Sequence, residues 1–178
     1  MAEILLFHHV QGLTTGIVAF ADELRAAGHT VRTPDLFDRR TFPTLEEGMA
    51  YAKTVGFGTI LDRGVAEAEA LEADIVYAGF SMGVMPAQKL AQTRTGAKGA
   101  VLVDACFPVT EFGDRWPDGV PVQVHGMDAD QSSRTGAIST RRGTWSSPRS
   151  VQSSFSIRAM SISSRTHHCP PTTRRRRS

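Results

Sequence analysis

What the chain lacks is unevenly distributed. The last 48 of its 178 residues contain no Asp, Glu, Leu, Lys or Tyr, whereas residues 1–130 contain a single serine, Ser81. Those first 130 residues hold all 18 acids and 10 of the 20 basic residues, for a net charge of −8, and the remainder holds 10 arginines, for +10. The overall +2 and the pI near 8.8 therefore average two unlike segments and say nothing about partners. The break falls between Asp130 and Gln131 and divides the chain into a domain over 1–130 and a basic Ser- and Arg-rich tail over 131–178.

Cysteine is also scarce. Cys106 and Cys169 lie on opposite sides of the break, which excludes a disulfide framework and gives no metal-ligand spacing, so no metal is expected and Cys106 is expected to be reduced and buried. Runs of membrane-spanning length are missing, and "MAEILLFHHV" has neither the basic start nor the small-residue cleavage site of a secretory signal. A cytoplasmic protein without a membrane partner is the expectation.

What remains in 1–130 has the composition of one globular domain. "EILLFHHV" is an apolar run suited to a buried strand, and "GIVAFADELRAAGH" follows with helical spacing of Ile17, Phe20, Leu24 and Ala27 before Gly28. "TVRTPDLF" reads as the second strand, "DRRTFPTLEEGMAYAKTVGFG" as loop and short helix, and "TILDRGVAEAEALEA" as a helix with a polar face. "DIVYAGF", "KGAVLVDAC" and "VPVQVHG" give three more strands, with the helical "MGVMPAQKLAQTR" between the first two of them. Apolar strands alternating with helices predict an α/β fold, a doubly wound and mostly parallel sheet that stops after the fifth predicted strand. Right-handed crossovers put the strand ends, and any site, along one edge of the sheet.

At that edge stands Gly79-Phe80-Ser81-Met82-Gly83, between a predicted strand and a predicted helix. This is the setting of a nucleophile elbow, in which a sharp turn exposes the central serine and small flanking residues avoid collisions. Ser81 is the candidate nucleophile, and the backbone N–H of Met82 would face a tetrahedral oxyanion. A second oxyanion donor is sought in the loop after the first strand, where the N–H of Val10 is the candidate. His8 and His9 are adjacent, so on a strand they would point to opposite faces and fail to converge on one ion; packing or loop hydrogen bonding is expected for both. Asp130, with Asp128 second, is the candidate carboxylate past the fifth strand, and His125 is read as its structural neighbour rather than a base.

Over nearly all of residues 3–130 the sequence resembles the dienelactone hydrolase family, a branch of the α/β-hydrolases. The segments that carry the resemblance are "ILLFHHVQGL", "FADELRAAGHTVRTPDLFDRRTF", "YAGFSMGVMPAQKLAQ" and "VPVQVHGMDAD". It implies an α/β-hydrolase type fold and hydrolysis of a small-molecule carboxylic ester or lactone without cofactor. The best-known members carry cysteine at the elbow and glutamate in the first loop, where this chain has Ser81 and His9, so the implication reaches a hydrolase rather than the dienelactone substrate. The family's catalytic histidine follows a further strand, and this chain has only its tail there. The chain as it stands is therefore expected to have little or no activity.

A displaced reading frame is the expected origin of the tail. If each original codon is the third base of one codon plus the first two of the next, then Ile157-Arg158-Ala159-Met160-Ser161-Ile162, written with chosen codons such as ATC CGG GCG ATG AGC ATC, of which only the Met160 codon is fixed, regroups to Pro-Gly-Asp-Glu-His. With codons chosen in the same way, "RTHHCPPTT" regroups in the same register to Asp-Ser-Ser-Leu-Pro-Ser-Tyr-Asp, which would restore acids, Leu and Tyr. The rival account is a non-catalytic fragment or binding module whose basic tail binds nucleic acid through phosphate attraction. That account explains the arginines but neither the abrupt boundary nor the missing histidine, so a nucleic-acid partner is not the favoured expectation. Without apolar periodicity the tail is expected to be disordered, since ordering costs about 1–2 kcal/mol per residue. His167 and His168 are expected to be solvated and not to replace the base.

Overall fold

The computed structural model of the protein describes residues 1–126. Their five strands are β1 (Glu3–Phe7), β2 (Thr30–Arg32), β3 (Ile75–Phe80), β4 (Gly99–Val103) and β5 (Val122–His125). Every pairing is parallel, in the order β2-β1-β3-β4-β5. The helices are α1 (Thr15–Ala26), α2 (Leu45–Val55), α3 (Phe57–Glu69) and α4 (Val84–Thr93), with a 3-10 turn over Ser81–Gly83.

The period-2 alternation of strand side chains sorts the core into two layers. On one face Leu5, Phe7, Ile75, Tyr77, Ala100 and Leu102 pack with Ala52 of α2, Ile60 and Ala68 of α3, and Val84, Ala87, Leu90 and Ala91 of α4. On the other, Ile4, Leu6, Val31 and Ala78 meet Ile17 and Ala21 of α1. Each large apolar side chain sunk in these layers contributes about 1.5–3 kcal/mol relative to exposure. Tyr77 is buried as a ring, and its hydroxyl accepts from Nη1 of Arg94 at 2.9 Å, so its polar end is satisfied. Helices on both faces of a parallel sheet make the fold doubly wound.

Three expectations need correction. The second strand is three residues long because Pro34 has no N–H to extend the ladder, and Asp35 turns the chain by accepting from the amides of Phe37 and Arg39. The segment read as loop plus short helix contains the 11-residue α2, which starts where Thr44 Oγ1 accepts from Glu47 N at 3.2 Å. Glu46 and Glu47 in its first turn also suit the positive end of the helix dipole. Finally, α3 begins at Phe57, two residues before the helical reading, directly after Gly56.

Among the described residues no helix is long and apolar enough to cross a membrane. Cys106 is a free thiol, half-buried rather than buried, with Sγ 3.6 Å from its acceptor Phe107 O, and burial pushes its pKa up. Asp128, Asp130, Cys169, His167, His168 and the whole segment 131–178 lie outside the described residues, as do the expectations placed on them.

Candidate active site

Ser81 directly follows the last residue of β3 and opens the 3-10 turn that leads into α4. Its φ of +48° lies in the left-handed region, which an L residue other than glycine adopts only at a cost. The neighbours explain how the turn closes. A Cβ on Gly79 would stand 2.2 Å from Gly83 O, and a Cβ on Gly83 would stand 2.6 Å from both Phe7 O and His8 O. Real side chains cannot fit at either place, so the strand, the turn and the end of β1 meet only because both residues are glycine. Phe80, between them, packs edge-on against Phe20 of α1 with ring centroids 5.2 Å apart. The turn is thereby held from both faces of the sheet.

The same close approach brings the loop after β1 alongside the elbow. Met82 lies in the first turn of a helical segment, where backbone N–H groups have no intrahelical acceptor. Val10 is buried in the turn that follows β1, and among the described residues its amide has no backbone acceptor outside regular elements. Both donors named from the sequence thus sit on the two segments that Gly83 holds together.

His8 and His9 lie just past the end of β1 rather than within it. Nε2 of His8 accepts from the amide of Leu36 at 3.0 Å, so its proton is on Nδ1, which donates to His9 O at 2.7 Å. The ring is fully buried, edge-on to Phe37 at 5.1 Å, with Asp35 Oδ1 3.7 Å from Nε2. Nδ1 of His9 accepts from Gln11 N at 3.0 Å, and Nε2 faces Thr14 Oγ1 at 3.4 Å. Burial lowers the pKa of both rings from 6.5, more strongly than the nearby Asp35 raises that of His8. Both imidazoles are therefore loop fasteners, with their nitrogens already engaged. Among the described residues no three His, Cys, Asp or Glu side chains could hold a metal ion together.

His125 ends β5, with Nε2 3.3 Å from Gln123 Oε1, and its carbonyl accepts from Asp104 N at 2.8 Å. Asp104 went unnoticed in the sequence. It follows Val103, which pairs with Phe80, so Asp104 and Ser81 occupy equivalent places at the ends of neighbouring strands. Its φ is +59°, a conformation for which Asp is enriched. The only sequence signal was an acid straight after an apolar strand. A serine and a carboxylate thus stand on adjacent strand ends at the carboxyl edge of a parallel sheet, the edge at which such folds bind ligands.

No family model matches the chain, and no curated protein matches it. Solved structures do. One named m3DLH is 15% identical over 76% of this chain and 62% of its own, with a TM-score of 0.53. A candidate dienelactone hydrolase from Klebsiella pneumoniae subsp. pneumoniae is 17% identical over 70% of this chain and 60% of its own, at TM-score 0.45. A candidate hydrolase of the α/β superfamily from Xanthomonas campestris pv. campestris is 19% identical over 70% and 71%, at TM-score 0.44. The chain spans about three-fifths of the length of the first two. The likeness to m3DLH shows that this chain shares its fold, an α/β fold built on a parallel sheet with a sharp turn directly after β3.

Proposed function

We propose that the protein is a serine-dependent hydrolase of carboxylic esters or lactones, of the dienelactone hydrolase type. The observation that carries this reading is the backbone of Ser81: a non-glycine residue at φ +48°, between β3 and a helix, enclosed by two glycines that admit no Cβ. Strain of this kind persists where the surrounding structure over-determines it, and it clusters at functional sites. The names of the Klebsiella and Xanthomonas structures suggest the same class of activity.

In this reading Ser81 Oγ adds to the substrate carbonyl carbon while its proton passes to a base, and the carbonyl oxygen becomes an oxyanion between the N–H groups of Met82 and Val10. The oxyanion collapses, the C–O bond to the alcohol breaks, and the base returns its proton to that oxygen. Water then adds to the acyl-serine in the same way, which releases the acid and restores the Ser81 hydroxyl. Asp130, or else Asp128, would orient the base. His8 and His9 do not serve as that base, because their hydrogen bonds hold the loops. The base would come instead from the Pro-Gly-Asp-Glu-His segment that the displaced frame would encode opposite Ile157–Ile162 with the codons chosen above, which leaves the chain as it stands close to inactive.

The test compares this chain with a frame-restored one. A fluorophosphonate probe is expected to label the restored protein at Ser81, and p-nitrophenyl esters to be cleaved by the restored protein far faster than by this chain. Undiminished labelling of a Ser81→Ala variant would overturn the reading.

A further inference from the structure

Successive carbonyl groups after β1 are each pinned from a different direction. Gly83 closes on His8 O, where a Cβ would stand 2.6 Å away, and Gly48 of α2 closes on Val10 O, where it would stand 2.2 Å away. His9 O, between them, accepts from the amide of Gly12 at 3.0 Å and from Nδ1 of His8 at 2.7 Å. In the trans peptide that joins His9 to Val10, the C=O and the N–H point in opposite directions. Whatever holds His9 O therefore also aims the Val10 N–H.

We infer that His8 is a positioning residue for the oxyanion hole: through His9 O its ring sets the direction of the Val10 N–H and strengthens it as a donor. This role rests on Val10 being an oxyanion donor, as the proposed function has it. The bonds run head to tail. Leu36 N–H donates to Nε2 of His8 at 3.0 Å, Nδ1–H donates to His9 O at 2.7 Å, and the same peptide ends in the Val10 N–H. Hydrogen bonds in such a chain polarise one another, so the last N–H is a stronger donor than an isolated amide.

The surroundings keep the ring in that state. His8 is wholly buried and Val10 nearly so, which removes water as a competitor for either bond. Asp35 Oδ1 lies 3.7 Å from Nε2, beyond hydrogen-bond reach, and the Asp35 oxygens accept instead from the amides of Phe37 and Arg39. The two ring nitrogens thus have separate tasks. Nε2 ties the loop after β1 to the loop after β2, and Nδ1 alone reaches the peptide that carries the donor. Two substitutions separate them, because asparagine places an amide nitrogen near the position of Nδ1 and glutamine places an oxygen near that of Nε2. His8→Asn can keep the bond to His9 O, and His8→Gln can keep the bond from Leu36 N.

The first test needs no substitution and no catalysis. NMR of the nitrogen-labelled chain should find the His8 proton on Nδ1, with a coupling across the hydrogen bond between Leu36 N and Nε2; a proton on Nε2 would overturn the role. The second test titrates butyrate, the acid that the proposed reaction releases from a butyrate ester, and follows the Val10 and Met82 amide resonances. In this chain both should move together. In His8→Gln the shift at Val10 should fall at least threefold while that at Met82 is kept, and His8→Asn should retain both, an outcome that loop fastening alone does not produce. Equal Val10 shifts in His8→Gln and His8→Asn overturn the role of His8 and leave the hydrolase reading standing. Butyrate that moves neither amide in this chain overturns the oxyanion hole itself, and the role of His8 with it.

Discussion

Leu36 donates its backbone amide to Nε2 of His8 across 28 positions of sequence, and the bond at 3.0 Å ties the loop after β1 to the loop after β2. It requires a neutral imidazole, because a protonated ring has no acceptor left.

Stability should therefore depend on pH. The folded pKa of His8 lies below 6.5, and that of His9 does too. Below pH 6.5 the unfolded chain binds protons that the folded chain refuses, so stability is full above that pH and falls as the pH drops toward the folded values. Urea midpoints at pH 7.5 and pH 5.5 should show the loss, and His8→Gln should reduce the slope between them. A slope unchanged by His8→Gln would assign the effect elsewhere.

Strain at Ser81 should be measurable without any substrate. Since φ is +48°, glycine suits the position better than alanine, and Ser81→Gly should be more stable than Ser81→Ala by about 1 kcal/mol. Chemical denaturation of the two variants checks this. Equal stabilities would mean that the turn relaxes when the hydroxyl is removed.

Gly79 and Gly58 should respond to alanine in opposite directions. At Gly79 the added methyl would meet the Gly83 backbone, and a loss of about 1–3 kcal/mol or more is expected. At Gly58, inside α3, nothing lies within 4 Å, so Gly58→Ala should be neutral or stabilise by up to about 1 kcal/mol through helix propensity. Thermal melts of the pair provide the measurement, with each serving as the control for the other.

Thr44→Ala removes the acceptor that Glu47 N uses at the start of α2 and should cost about 0.5–2 kcal/mol, with Thr44→Ser retaining most of the stability.

Local signals were legible in the sequence and long-range ones were not. The elbow could be read because its requirements, a strand, two glycines, a serine and a helix, all fall within a few residues. β1, β3 and β4 could be read because a strand buried on both faces is apolar throughout. The length of α2 could not, since its inward side is made of small residues, with Gly48 and Ala52 buried, and so carries little hydrophobic periodicity. The work of His8 was invisible for another reason: its partner Leu36 is brought to it only when β1 and β2 pair. Asp104 needed backbone angles, which no composition reveals.

The outer side of β5, which pairs with no other strand among the described residues, also bears on how the chain fares in a cell. Synthesis runs from β1 toward β5, so the central strands and the elbow can assemble on the ribosome before the last strand emerges. Until its outer edge is covered, β5, with Val122 and Val124 exposed, is a template for other strands, so chaperones and proteases meet the chain there first.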